Sequence, residues 1–248
     1  MKEQGSARKK KKRRKKHYLL KFIIFVAFAT GMYFFFTSSL FDIQKITVEN
    51  NRHYTAEQII SLAGAKPGEN LFEASLSEMK ERLLADPYVK NAKLKRRLPA
   101  EVAIIVEERA EDAAVPYGNR FIIIDNEGMV LRIADTEPAL TLLFGMTVKN
   151  MKPGTPLEVE DNASLTDTLK LLAEVKKQEL FFKKIDISKI MVKAYIYDQL
   201  ICEGTPEDII NNMDSLEEVL YDLYTKGIER GVIKMGSDKY FSFSPLVE

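Results

Sequence analysis

A catalytic centre in this chain would have to draw on two histidines, one cysteine and whichever carboxylates come together. His17 belongs to a cationic flank and His53 to a turn, a supply too small for the usual His-based zinc sites and poorly suited to a Ser-His-Asp triad. Cys202 ends the apolar run Gln199-Leu-Ile-Cys202 with no base beside it, so a buried, inert thiol is expected. The remaining candidates are Glu107, Glu108, Glu111 and Asp112, at the end of an apolar run. A glycosidase-type acid/base pair needs an apolar cleft to hold two carboxyl pKa values apart. A solvated domain junction explains these four acids better. No GxGxxG or P-loop pattern occurs. The expectation is a chain with no catalytic residues, cofactor, metal or small-molecule substrate, one that acts by binding.

The elements that would place a binding surface start with Leu19 to Leu40, LLKFIIFVAFATGMYFFFTSSL. Twenty-two residues give about 33 Å of helix, enough for a hydrocarbon core of about 30 Å. A cleaved secretory signal is the competing reading. The apolar run is long for one, and TSSLFDI offers no small-x-small cleavage site, so an uncleaved anchor is expected. Lys9, Lys10, Lys11, Lys12, Arg13, Arg14, Lys15 and Lys16 precede the span, which puts the N-terminus in the cytoplasm and the rest of the chain outside. Residues 1–16 hold ten of the 37 bases and one of the 36 acids, so the remaining 232 residues carry a net charge of −8. That balance excludes a nucleic-acid reader, and topology accounts for the basic run. A single cysteine permits no internal disulfide, which for an exported protein fits a bacterial envelope.

Beyond the anchor, FDIQKITVE (residues 41–49) alternates as a strand and Asn50-Asn51 turns the chain. Thr55 and Gln58 form a capping box for a short helix ending at Gly64. Ser75 and Glu78 form another, for a helix with Leu76, Met79, Leu83 and Leu84 on one face, ended by Asp86-Pro87. Strands come next at Tyr88–Leu94 and Glu101–Glu107, with a basic tip at Lys95–Pro99. Strand, helix, helix, strand, strand makes a three-stranded sheet with both helices on one face, an α+β unit. The chain continues with a hairpin through Asp125–Gly128 and a helix capped by Ser164 and Asp167. Strands are expected at residues 185–188, 191–197 and 200–202. A helix then runs from Thr205 to Lys226, buried through Ile209, Met213, Leu216, Leu220 and Leu223. Val232–Met235 and Tyr240–Phe243 close the chain as strands. Tyr195 and Tyr197 share a strand face and read as packing.

PYVKNAKLKRRLPAEVAIIVEERAEDAAV, preceded by FDIQKITVENN, resembles the POTRA domain of the bacterial division protein family DivIB/FtsQ. Phe41, Ile43, Ile46, Val48 and Asn51 match the family's first motif; Pro87, Tyr88, Val89, Ala92, Arg96, Leu98, Pro99, Val106, Glu107 and Arg109 match its second. Asn50 stands where the family usually has glycine, a mild change because Asn tolerates positive φ. PALTLLFG is similar to the family's next strand, while Ile233-Lys234 lacks its usual acid.

The resemblance implies a cytoplasmic tail (1–17), a transmembrane anchor (18–40), a POTRA domain (41–109) and a mixed, mostly antiparallel β-rich domain with helices (110–248). It further implies a septal, single-pass protein of the division machinery. Such a protein binds FtsL-like and DivIC/FtsB-like membrane partners and, through them, regulates septal peptidoglycan synthesis by FtsW–FtsI. In the family the last strand of the β-rich domain receives the partner; here Tyr240, Phe241, Ser242, Phe243 and Ser244 occupy that place. Strand addition is the mechanism such an edge supports. The alternatives are a POTRA-bearing assembly or secretion factor, disfavoured by the absence of a β-barrel pattern, and a membrane-anchored cell-wall hydrolase, which would need an acid pair in a cleft. The basic tip, Lys93 to Arg97, is a secondary candidate for contact with acidic partners or lipid headgroups.

Overall fold

A computed structural model describes residues 16–237 and 240–246. Lys9 to Lys15 lie outside the described residues. Helix α1 (Lys16–Phe36) contains one stretch, Tyr18–Phe36, long and apolar enough to cross a membrane, with none of its residues buried in protein. The helix stops four residues short of the expected Leu40. Thr37 Oγ1 donates back to Tyr33 O at 2.9 Å and Ser38 Oγ to Phe35 O at 2.7 Å, and Ser39–Phe41 then form a 3-10 turn. Hydroxyls that satisfy terminal carbonyls locally end a helix in this way.

Aromatic and polar contacts fasten the end of α1 to the first sheet's loops. Phe36, Phe41 and Phe72 meet edge-on or tilted with centroids 4.8–5.8 Å apart. Asn70 Nδ2 donates to Phe36 O at 2.9 Å while its Oδ1 accepts from Phe72 N at 2.9 Å. One buried amide thus covers a helix-end carbonyl and fixes the loop beneath it.

The first sheet comprises β1 (Lys45–Glu49), β2 (Val89–Arg97) and β3 (Glu101–Glu108) in the order β1-β3-β2. β1 runs parallel to β3 and β2 antiparallel to it. Helices α2 (Ala56–Ala63) and α3 (Leu76–Leu84) bury Ile59, Ala63, Met79 and Leu83 against Val102, Ile104 and Val106. Thr55 and Gln58 form the full capping box, Gly64 ends α2 in the left-handed region, and Asn50 takes φ 68. Ser75 caps α3 through Glu78 N alone, with no reciprocal bond, and Leu84 is exposed instead of buried. The basic tip differs as well. Lys95, Arg96 and Arg97 belong to β2, and the turn is made by Leu98–Ala100. Arg96, though exposed, reaches back to the loop before α3, donating to Leu71 O at 2.7 Å and Ala74 O at 2.8 Å, so it is committed to the fold.

Among the described residues the second sheet has nine strands: β4 (Ala113–Tyr117), β5 (Arg120–Ile124), β6 (Val130–Ala134), β7 (Thr141–Phe144), β10 (Lys184–Asp186), β11 (Val192–Tyr195), β12 (Gln199–Gly204), β13 (Arg230–Met235) and β14 (Phe241–Ser244). Its order is β14-β13-β12-β11-β10-β7-β4-β5-β6, mixed but mostly antiparallel. A separate small ribbon pairs β8 (Val148–Asn150) with β9 (Glu158–Val159). Helices α4 (Asn162–Lys177), α5 (Pro206–Asn211) and α6 (Met213–Thr225) supply Leu165, Leu169, Ile209 and Leu216 to one core with Ile122, Leu143, Ile185 and Ile233. Two of these helices differ from expectation. Asp161, not Ser164, caps α4, accepting from Ala163 N and Ser164 N at 3.1 and 3.2 Å. The helix expected from Thr205 to Lys226 breaks at Asn212, whose buried amide donates to Asp208 O at 2.7 Å and reaches across to Gly236 O at 3.1 Å.

Polar contacts join the two sheets. Tyr88 OH donates to Glu111 at 2.6 Å, and Arg132 grips both Glu111 oxygens at 2.6 and 3.0 Å. His53 stacks on Tyr88 with centroids 3.9 Å apart. Hydrogen bonds from Arg132, joined by Tyr88, hold the Glu111 carboxyl below its ordinary 4.5 against the opposing effect of burial. A depressed carboxyl stabilises the fold above its unfolded value, and that contribution is lost as pH falls through the folded one. Arg132→Met is therefore expected to narrow its stability gap from the parent as pH drops below 4.5. Thermal melts of both proteins across an acid series check this; a gap independent of pH would contradict it.

Candidate partner-binding edge

The residues that could do chemistry are not brought into one centre. Cys202 is fully buried, and desolvation pushes its thiol up to about 12, away from nucleophilic use. Glu108 accepts from the backbone N–H groups of Arg52 and His53, both at 2.6 Å. Glu111 is held by Arg132 and Tyr88, and Asp112 meets Lys176 and accepts from Asn126 N at 3.1 Å. Of the four acids, Glu111 links the two sheets, while Glu108 braces the turn before α2 and Asp112 the loops of the second sheet, so these three have partners instead of facing solvent freely. Among the described residues no group of three metal-ligating side chains occurs.

The geometry that can bind is at the sheet's end. β14 pairs antiparallel with β13 on one side, Ile233 opposite Phe243 and Lys234 opposite Ser242; among the described residues no strand pairs with its other side. Gly236 N donates to Tyr240 O at 2.9 Å, which marks 236 and 240 as a hydrogen-bonded pair. The alternation of an antiparallel ladder then turns Ser242 and Ser244 toward β13 and points the N–H and C=O groups of Phe241 and Phe243 outward. A four-residue strand with outward backbone groups forms a template for one short incoming strand.

The five predicted residues divide by side chain. Phe241 and Phe243 lie on the face of Met235 and Ile233, both buried. Phe243 is half-buried and packs on the core, while Phe241 is 45% and Tyr240 64% exposed. Ser242 is half-buried and Ser244 exposed on the opposite face, small enough to leave that surface approachable. Sequence reasoning missed the partner of Phe243. Gly231 lies directly under its ring, and a Cβ there would stand 2.6 Å from Phe243 Cζ. A glycine two residues before the alternating Ile233 and Met235 was the available signal.

The family model described as POTRA domain, FtsQ-type, matches residues 41–109, the three-stranded unit with its two helices. Over 183 residues, 73% of this chain and 74% of the relative, the chain is 31% identical to the cell division protein DivIB of Clostridium acetobutylicum. The chain belongs to the DivIB/FtsQ family. A second DivIB, from Clostridium tetani, is 26% identical over 211 residues, 84% of this chain and 78% of that one. The cell division protein FtsQ of Syntrophotalea carbinolica is 36% identical over 80 residues, 32% of this chain and 28% of its own. As a DivIB/FtsQ member the chain is a cell division protein, with its β14 edge at the far end of the β-rich sheet from β6.

Proposed function

We propose that this protein is a non-enzymatic scaffold of the division septum, anchored by α1 with its N-terminus in the cytoplasm. In this reading residues 1–17 form the tail, 18–40 the anchor, 41–109 the POTRA domain and 110–248 the partner-binding domain, both outside the membrane. Tyr240 to Ser244 receive an extended segment of an FtsL- or DivIC/FtsB-type partner, and the assembled complex controls septal peptidoglycan synthesis by FtsW–FtsI. Lys9 to Lys16 set the orientation. The observation that carries this reading is the outer side of β14, which no strand among the described residues pairs with and toward which two residues direct their backbone groups. Main-chain hydrogen bonds then supply affinity, and the exposed Tyr240 and Phe241 supply side-chain contacts.

Phe241→Pro tests it. Proline at this position removes an outward N–H and places its ring in the path of an added strand, yet breaks no hydrogen bond to β13. Capture of the FtsL/DivIC-type partner by the full chain in detergent is expected to weaken about tenfold or more. Phe241→Leu, which keeps the N–H, retains most of it. Undiminished capture by Phe241→Pro would remove strand addition at β14.

A further inference from the structure

A second surface lies apart from the β14 edge. Between α6, the β11–β12 turn and the segment after α4 lies an open groove of about 670 Å³ with Leu200, Leu220 and Ile228 among its apolar lining. Phe181, Tyr221 and Tyr224 line it while 58%, 71% and 74% exposed. Rings left in water beside an apolar floor mark a surface that another molecule covers.

The charge of this groove is one-sided. Glu179, Asp214, Glu217 and Glu218 line it, and no lysine or arginine does. Nearby surface acids are compensated: Glu174 by Lys177 at 2.6 Å and Asp222 by Lys226 at 2.6 Å. Among the described residues the four groove acids make no ion pair. On α6 the arrangement follows from spacing. Met213, Leu216 and Leu223 turn inward, while Asp214, Glu217, Glu218, Tyr221 and Tyr224 recur every three or four residues along a separate stripe.

Aromatic faces and carboxylates together favour a cation, held against a ring by the quadrupole and against the acids by charge. The neighbouring sheet already uses this chemistry internally, with Lys184 Nζ 4.2 Å from the Tyr195 ring centre. An anionic lipid surface or a nucleic acid would be repelled. We propose that this groove docks a lysine- or arginine-bearing segment of a protein partner, its aliphatic stems on the apolar floor and its charges between the tyrosines and the carboxylates. None of residues 240–244 lines the groove.

The test uses the full chain in nanodiscs of zwitterionic lipid, with empty discs as background. The probe is a fluorescein-labelled helical peptide with lysines on one face and leucines on the other, beside a counterpart with glutamates for the lysines. Anisotropy is expected to report binding of the lysine peptide alone. Tyr221→Ala/Tyr224→Ala, which leaves the charge untouched and alters two exposed side chains, should weaken that binding about tenfold. Glu217→Gln/Glu218→Gln should weaken it as well and flatten its salt dependence. Equal binding of both peptides, no binding above empty discs, or an unchanged affinity in the tyrosine pair would overturn the proposal.

Discussion

Arg109→Met is expected to lower the stability of the folded chain by about 3–5 kcal/mol, the usual result of removing one partner from a buried ion pair. Arg109 comes directly after β3, its N–H donating to Tyr88 O at 2.7 Å, and its guanidinium meets Asp125 and, at 2.8 Å, Glu127. The Asp125 side chain is 2% exposed and that of Arg109 12%. Asp125 also builds the β5–β6 turn, accepting from Glu127 N at 2.9 Å and Met129 N at 2.8 Å. The methionine fills the stem's volume and leaves a carboxylate without its counter-charge. Arg109→Met/Asp125→Asn keeps an acceptor for the two turn N–H groups and removes the stranded charge, so it should recover a large part of the loss. Denaturant titration of the three proteins checks both steps. A single-variant loss under about 1 kcal/mol would mean that water compensates Asp125.

The second large effect is at Gly231. Any Cβ there meets the Phe243 ring, 2.6 Å from Cζ, and Ser244 O at 2.9 Å, on a backbone with φ 154 that side chains rarely adopt. Neither obstacle is a flexible tip, so β14 must shift. Gly231→Ala is expected to cost about 2–4 kcal/mol from overpacking and backbone strain. Partner capture should fall with it, although no binding residue has changed. Gly231→Ala/Phe243→Ala, which removes the opposing ring, should regain part of the stability. Equal melting of parent and Gly231→Ala would contradict the packing described for β14.

What could be read from the sequence tracked the range of the interactions involved. The Thr55–Gln58 box, the Gly64 stop and the left-handed Asn50 are settled within a few residues, and the structure has all three. The POTRA element order was equally legible, because its alternating and helical periods are clean. The misplaced features depend on distant partners. The break at Asn212 needs Gly236, 24 residues on, and the hydrogen bonds of Arg96 need Leu71 and Ala74 from the loop before α3. The cap of α4 was misplaced for a local reason: Asp161, three residues before Ser164, takes the role, and Ser164 Oγ donates to it at 2.7 Å. At the candidate edge, alternation put Phe241 and Phe243 on one face but held no information about how much of each ring the helices leave exposed. Nor could it reveal the groove beside α6, which three separated segments create.

The central claim is that β14 accepts a strand, and amide hydrogen exchange of the full chain with and without the FtsL/DivIC-type partner tests it most directly. Ser242 and Ser244 should be protected already in the free chain by the ladder to β13. Phe241 and Phe243 should exchange fast when free and slow by about tenfold or more once the partner is bound. If bound Phe241 and Phe243 continue to exchange as in the free chain, the partner does not add a strand at this edge.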